Sequence, residues 1–105
     1  MTIQFNTDKT ISGTQRQQDY FKTQIAEELE RFASHITRIE VHLKDENGHK
    51  DGPDDISCTL EARLQGKQPM VVHSKGDNLE KAISASIDKM TSSLDKVVGK
   101  MQAKH

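Results

Sequence analysis

Apolar residues recur along this chain with two periods, one near 3.6 and one of two, and each period marks its own elements. From Asp77 to Met101, at 100° per residue, Leu79, Ile83, Ile87, Met90, Leu94, Val97, Val98 and Met101 fall on one stripe. That spacing predicts a long amphipathic helix. Gly76 breaks the chain before it, Asp77-x-x-Glu80 fits a capping box, and Gly99 stands near its end, so Met101 to His105 are expected to fray. Lys81, Lys89, Lys96 and Lys100 lie on one flank of the stripe, and Asp77, Glu80, Asp88 and Asp95 on the other. A shorter helix is predicted to begin near Thr14, where Thr14-x-x-Gln17 and Ser12-x-x-Gln15 both fit a capping box. Phe21, Ile25, Leu29 and Phe32 share its apolar face, a spacing typical of core rather than of ligand-stacking aromatics.

The period of two appears four times. Thr2 to Thr7 alternates through Ile3 and Phe5, and Asp8 to Gly13 follows as a loop. Arg38 to Lys44 turns Ile39, Val41 and Leu43 one way and Arg38, Glu40, His42 and Lys44 the other. Asp55 to Leu64 does the same, with Ile56, Cys58, Leu60, Ala62 and Leu64 facing inward and Ser57, Thr59, Glu61 and Arg63 facing solvent. Gln65-Gly66-Lys67-Gln68 is a short turn, and Pro69 to Lys75 is a fourth strand whose leading proline suits a first or edge position. Alternation this regular describes a sheet covered on one side only. The order strand, helix, three strands, helix therefore predicts an α+β two-layer sandwich, with two helices on one face of a four-stranded sheet.

Composition sets limits on this picture. The 105 residues suit a single domain spanning 1–105, and an apolar share of 32% with 4% aromatics allows only a thin core and no large enclosed pocket. The net charge of −1 conceals a segregation: Asp45 to Asp55 holds five acids and one lysine, a net of −4, which leaves the remainder at +3. This stretch, with Asn47-Gly48, Asp51-Gly52 and Pro53, is a long polar connection, and the rest of the surface is mildly basic, which permits an anionic partner. The single Cys58 excludes an intrachain disulfide and agrees with a reducing compartment. No apolar run has membrane-spanning length and the first residues do not form a signal peptide, so a cytoplasmic protein without a membrane partner is expected.

Catalytic and metal chemistry find little support in the residues. His35, His42, His49, His73 and His105 show no zinc-type spacing with Cys58, and Cys58 itself sits on the inward face of its strand, as a small buried hydrophobe would. Asp77 stands where a phosphate-binding loop would need neutral or positive character, and the acidic connection lacks the ligand order of an EF-hand. No nucleophile–base pair is evident, so an enzyme, a cofactor and a small-molecule substrate are not expected. The basic set remains: Lys81, Lys89, Lys96 and Lys100 on the second helix, and Lys22 and Arg31 outside the apolar stripe of the first. Point charges without aromatic platforms suit phosphate contacts to structured RNA, read by shape rather than by base.

In its second helix the chain carries Ala82-Ile83, then Ile87-Asp88-Lys89-Met90, then Leu94-Asp95-Lys96. The first helix ends at Leu29 to Phe32 and passes to Ile39-x-Val41-x-Leu43-Lys44. In these motifs and their order, over nearly its whole length, the chain resembles the bacterial ribosome hibernation-promoting factors, also called ribosome-associated translation inhibitors. The resemblance implies a β-α-β-β-β-α fold similar to double-stranded RNA-binding domains. It implies binding to the small ribosomal subunit and the 70S ribosome in the channel used by mRNA and tRNA, with translation blocked by occlusion. It also implies that Lys89 and Lys96 contact 16S rRNA phosphates; Lys100, Lys81, Lys22 and Arg31 join them from helix geometry. By the same resemblance a short form is expected, with the second helix last and without the C-terminal domain by which long forms pair ribosomes. Gln24, Glu27 and Ser92 stand where the family commonly carries basic residues. The alternative is therefore a diverged member that has lost the ribosome and binds a protein or modulates another stress process.

Overall fold

The computed structural model describes residues 1–7, 15–46 and 55–102, with side chains as far as Lys100. Strand β1 (Thr2–Thr7) leads to helix α1 (Gln15–Glu28) and a 3-10 turn (Glu30–Phe32), then to β2 (Ile36–Asp45), β3 (Ile56–Leu64), β4 (Met70–Gly76) and helix α2 (Leu79–Gln102). The strands form one sheet in the order β1-β2-β3-β4. β1 runs parallel to β2, with Ile3 opposite Ile39 and Phe5 opposite Val41, and α1 supplies the crossover that a parallel pair requires. β2, β3 and β4 are antiparallel neighbours, with Val41 opposite Leu60 and Leu60 opposite Val72. This is the β-α-β-β-β-α sandwich that the two periods predict.

Both helices cover the same face. Ile39, Val41 and Leu43 of β2 and Cys58, Leu60 and Ala62 of β3 meet Phe21, Ile25 and Leu29 from α1 and Ile83, Ile87, Met90 and Leu94 from α2. Ile25, Leu29, Ile39, Leu60, Ile83, Met90 and Leu94 have no exposed surface, and each such side chain contributes about 1.5–3 kcal/mol by leaving water. Inside this layer Ser86 of α2 donates from Oγ to the Cys58 carbonyl at 3.0 Å, so a buried hydroxyl ties the helix to the central strand.

The two helices run in the same direction, which gives the molecule a rim and a foot. At the rim, Thr7 and Leu43 meet Gln17, Gln18 and Phe21 near the start of α1 and Leu79 at the start of α2. At the foot, Arg38 lies opposite Arg63, the Gln65 amide donates to the His35 carbonyl at 3.2 Å, and Arg31 reaches Asp95.

Three local features differ from the sequence reading. The cap of α2 is Asn78, not Asp77: Asn78 Oδ1 accepts from the Lys81 amide at 2.8 Å and its carbonyl from the Ala82 amide at 3.1 Å. Asp77 instead pairs with Lys81 at 3.2 Å. The chain also leaves α1 by a 3-10 turn, in which Phe32 and Leu29 stay buried three residues apart. Ser57, expected in solvent, is 6% exposed, and Thr59 and Glu61 are half-buried, because β3 is central and the chains of β2 and β4 shield its outer side. The proposed caps at Ser12 and Thr14, the Asp8 to Gly13 loop and most of the acidic connection lie outside the described residues. Its two ends are held together, the Glu46 amide donating to the Asp55 carbonyl at 2.8 Å.

Candidate nucleic-acid interface

α2 lies beneath β3 and β4 because its apolar stripe has only that surface to cover, and this fixes where its two flanks point. The lysine flank runs along the outer edge of β4. Lys89 reaches that edge and donates from Nζ to the His73 carbonyl at 2.6 Å. The bond satisfies a main-chain acceptor on an unpaired edge and holds a cation there. Beside it an open groove of 460 Å³ is lined by Val72, His73, Asp88, Lys89, Ser92 and Ser93. Lys96 and Lys100 continue the same flank toward the foot; both are exposed, and neither has a partner among the described residues.

Asp95 faces the other way, toward α1, whereas Asp88, expected on the same flank, lines the groove beside Lys89. Gln24 of α1 approaches Ser84 of α2, from Nε2 to Oγ at 3.5 Å, and Arg31 meets Asp95 at 2.9 Å. Arg31 also stacks its guanidinium over the Phe32 ring at 4.5 Å. This cation is thus paired and packed between the ends of the two helices. Lys81 is paired with Asp77 one turn away. Lys22 stands two residues, or 200°, from Gln24, which puts it on the flank of α1 turned away from α2.

The six basic residues named from the sequence therefore do not form one patch. Lys89, Lys96 and Lys100 share the β4 side of α2. Lys81 sits near the rim with its acid, Arg31 lies between the helix ends, and Lys22 is on the far side of the helical layer. What the helical wheel could not supply is which neighbour each flank meets, since Arg31 and Asp95 are 64 residues apart and the Lys89 acceptor is main chain.

The opposite face of the sheet is polar and internally paired. Glu40 Oε2 accepts from Arg38 and from Arg63, each at 3.3 Å, and Arg63 also reaches Glu61 at 3.4 Å. Arg38 and Arg63 are direct cross-strand neighbours, a repulsive arrangement that Glu40 relieves. A hydrogen bond with Glu61, and then the two guanidinium charges, hold the Glu40 carboxyl below its ordinary range against partial desolvation. Farther along, Thr59 Oγ1 is hydrogen-bonded to His73 Nδ1 at 2.9 Å.

Chemistry of other kinds is not assembled. Burial raises the Cys58 thiol to about 11, only partly opposed by its hydrogen bond with Ser86, so it is a core group and not a nucleophile. Among the described residues no group of three His, Cys, Asp or Glu is placed to hold a metal ion. No helix there is long and apolar enough to cross a membrane.

Comparison with known proteins agrees with this fold. The chain is similar in structure to the N-terminal domain of Thermus thermophilus protein Y, at 18% identity and a TM-score of 0.74 over 92% of this chain and 99% of that one. It is also similar to a ribosomal subunit interface protein from Coxiella burnetii, at 15% identity and a TM-score of 0.73 over 94% and 99% of the two chains. No curated protein matches it by sequence. A family model described as sigma 54 modulation protein / S30EA ribosomal protein matches residues 5–102, and that family consists of ribosome-associated binding factors, not enzymes. Matched across nearly all of its length, the chain belongs to the sigma 54 modulation protein / S30EA ribosomal protein family.

Proposed function

We propose that this protein binds the small ribosomal subunit, alone and within the 70S ribosome, and inhibits translation by occupying the mRNA–tRNA channel. The observation that carries this reading is the lysine flank of α2, Lys89, Lys96 and Lys100, aligned along the β4 edge in a member of a ribosome-associated family. Its ligands are 16S rRNA phosphates, met by point charges without base reading. The protein works as one domain over residues 1–105, in the cytoplasm, without cofactor or catalysis. Lys22, Lys81 and Arg31 are secondary contacts, and Lys81 and Arg31 must first leave Asp77 and Asp95. Exposed pairs of this kind are worth ~0–1 kcal/mol, so a phosphate can displace them.

The test is sedimentation with ribosomes and separated subunits, comparing the parent with the Lys89→Glu/Lys96→Glu double variant. The variant is expected to keep its fold and lose comigration. Equal comigration would remove the lysine flank from the account.

A second reading is favoured by the acidic flank between the helices. There Asp95 neutralises Arg31, and Glu27 is exposed. A diverged member that has given up the ribosome for a protein partner would carry such a face. Comigration of the parent with small subunits at physiological salt would exclude it.

A further inference from the structure

The acidic and basic residues are segregated along the molecule as well as around α2. The rim holds the ends of the acidic connection, and its cations face carboxylates: Lys44 lies 3.9 Å from Glu46, and Lys75 lies 3.9 Å from Asp55. The foot is different. There the Leu64 carbonyl accepts from the Lys67 amide at 3.4 Å, and Gly66 takes the left-handed conformation, φ 70°, in the third position of the turn. This turn presents Lys67 to solvent, with no side-chain partner among the described residues.

The Lys89–His73 bond fixes how α2 and β4 lie alongside each other, and the two run in opposite directions. From His73 to Met70, β4 descends about 10 Å at ~3.3 Å per residue. From Lys89 to Lys96, α2 descends about 10 Å at ~1.5 Å per residue. Lys96 is thus level with Met70. Lys100, about 6 Å lower, is level with the turn that carries Lys67. Three cations from two separate elements, Lys67, Lys96 and Lys100, thus stand at the foot end of the molecule. Of the foot's carboxylates, Asp95 is taken by Arg31, Glu40 and Glu61 are held by Arg38 and Arg63, and Glu27, Glu28 and Glu30 lie on the α1 side.

We infer that the β3–β4 turn is part of the RNA-binding surface, with Lys67 contacting the phosphate backbone together with Lys96 and Lys100, so that the domain meets RNA foot-first. The acidic rim is then left farthest from the RNA. The inference extends the proposed ribosome contact, and rests on it only for which RNA is the natural ligand.

The experiment is fluorescence anisotropy of a labelled RNA hairpin with the full chain between 50 and 200 mM salt, comparing the parent with Lys67→Glu, Lys67→Ala, Lys96→Glu and, from the rim, Lys75→Glu. Lys67→Glu and Lys96→Glu are each expected to weaken binding about three- to tenfold at the lower salt and to flatten the salt slope by about one. Lys67→Ala should show the same slope change with a smaller loss, and Lys75→Glu should change affinity less than twofold. Unchanged binding by Lys67→Glu, an equal loss with Lys75→Glu, or a parent that does not bind the hairpin would each overturn the inference. Sedimentation with ribosomes separates this from the parent reading. Comigration without any effect of Lys67 keeps the ribosome and discards the foot. Hairpin binding with the expected pattern but no comigration does the reverse.

Discussion

The end of β4 passes close against the first turn of the lysine-bearing helix at Gly76. A Cβ added there would lie 2.7 Å from the Ala82 amide nitrogen, 3.0 Å from Lys81 Cβ and 3.1 Å from the Lys81 carbonyl carbon. The shortest of these falls about 0.8 Å inside ordinary contact, and it is against backbone. Gly76→Ala must therefore shift either the end of β4 or the first turn of α2, where Asn78 caps the Lys81 and Ala82 amides. Overpacking of this kind costs about 1–3 kcal/mol, less ~0.5–1 kcal/mol that Ala gains over Gly in a strand. For a domain of this size a net loss near ~1–2 kcal/mol lowers Tm by about 4–16 °C. Thermal melts followed by helical circular dichroism would measure it. Gly99→Ala is the internal control, since nothing lies within 4 Å of its Cβ position in α2. That change should raise stability by up to about 1 kcal/mol through helix propensity. A Gly76→Ala variant melting at or above the parent would refute the close approach and the placement of α2 that follows from it.

Three other outcomes follow from the packing and charge. Ser86→Ala removes the buried donor to the Cys58 carbonyl and should cost about 1 kcal/mol in urea unfolding with an unchanged m-value; no loss would mean the bond adds nothing. Cys58, buried with its thiol raised to about 11, should resist alkylation at pH 8 in the folded protein and react fully in denaturant; rapid native labelling would contradict its place in the core. Glu40 has a native carboxyl below its ordinary value, so its contribution is complete above that value and is lost as pH falls through the lower native one. Glu40→Gln should then be less stable than the parent at pH 7, with the gap closing in acid, and a gap independent of pH would show that the carboxylate charge is not what matters.

The strands and α2 were legible because a sheet covered on one side and a helix on its surface each leave an unbroken period. The details that escaped depend on neighbours distant in sequence or on near-equivalent local choices. Asp77 and Asn78 are both good caps by residue type, and only the structure shows that Asn78 takes the Lys81 amide while Asp77 pairs with the Lys81 side chain. Leu29 and Phe32 are three apart, which serves an α-helix and a 3-10 turn equally well. Ser57 reads as a solvent position by alternation, yet the central place of β3 buries it. For the interface, the wheel of α2 groups Lys81 with Lys89, Lys96 and Lys100, but Lys81 stands apart near the rim, paired with Asp77. The wheel could not show that Lys22 would end up across the layer, or that Arg31 would find Asp95. Nothing in the sequence marks Lys67, in a short turn, because its common level with Lys96 and Lys100 exists only once β4 and α2 are aligned.

The central claim, that this fold carries a lysine surface for ribosomal RNA, is tested most directly by sedimentation of the purified protein with 30S subunits and 70S ribosomes at low and near-physiological salt. The account predicts comigration with both that persists at the higher salt and is lost in the Lys89→Glu/Lys96→Glu variant. Comigration confined to low salt, or equal in parent and variant, would contradict it.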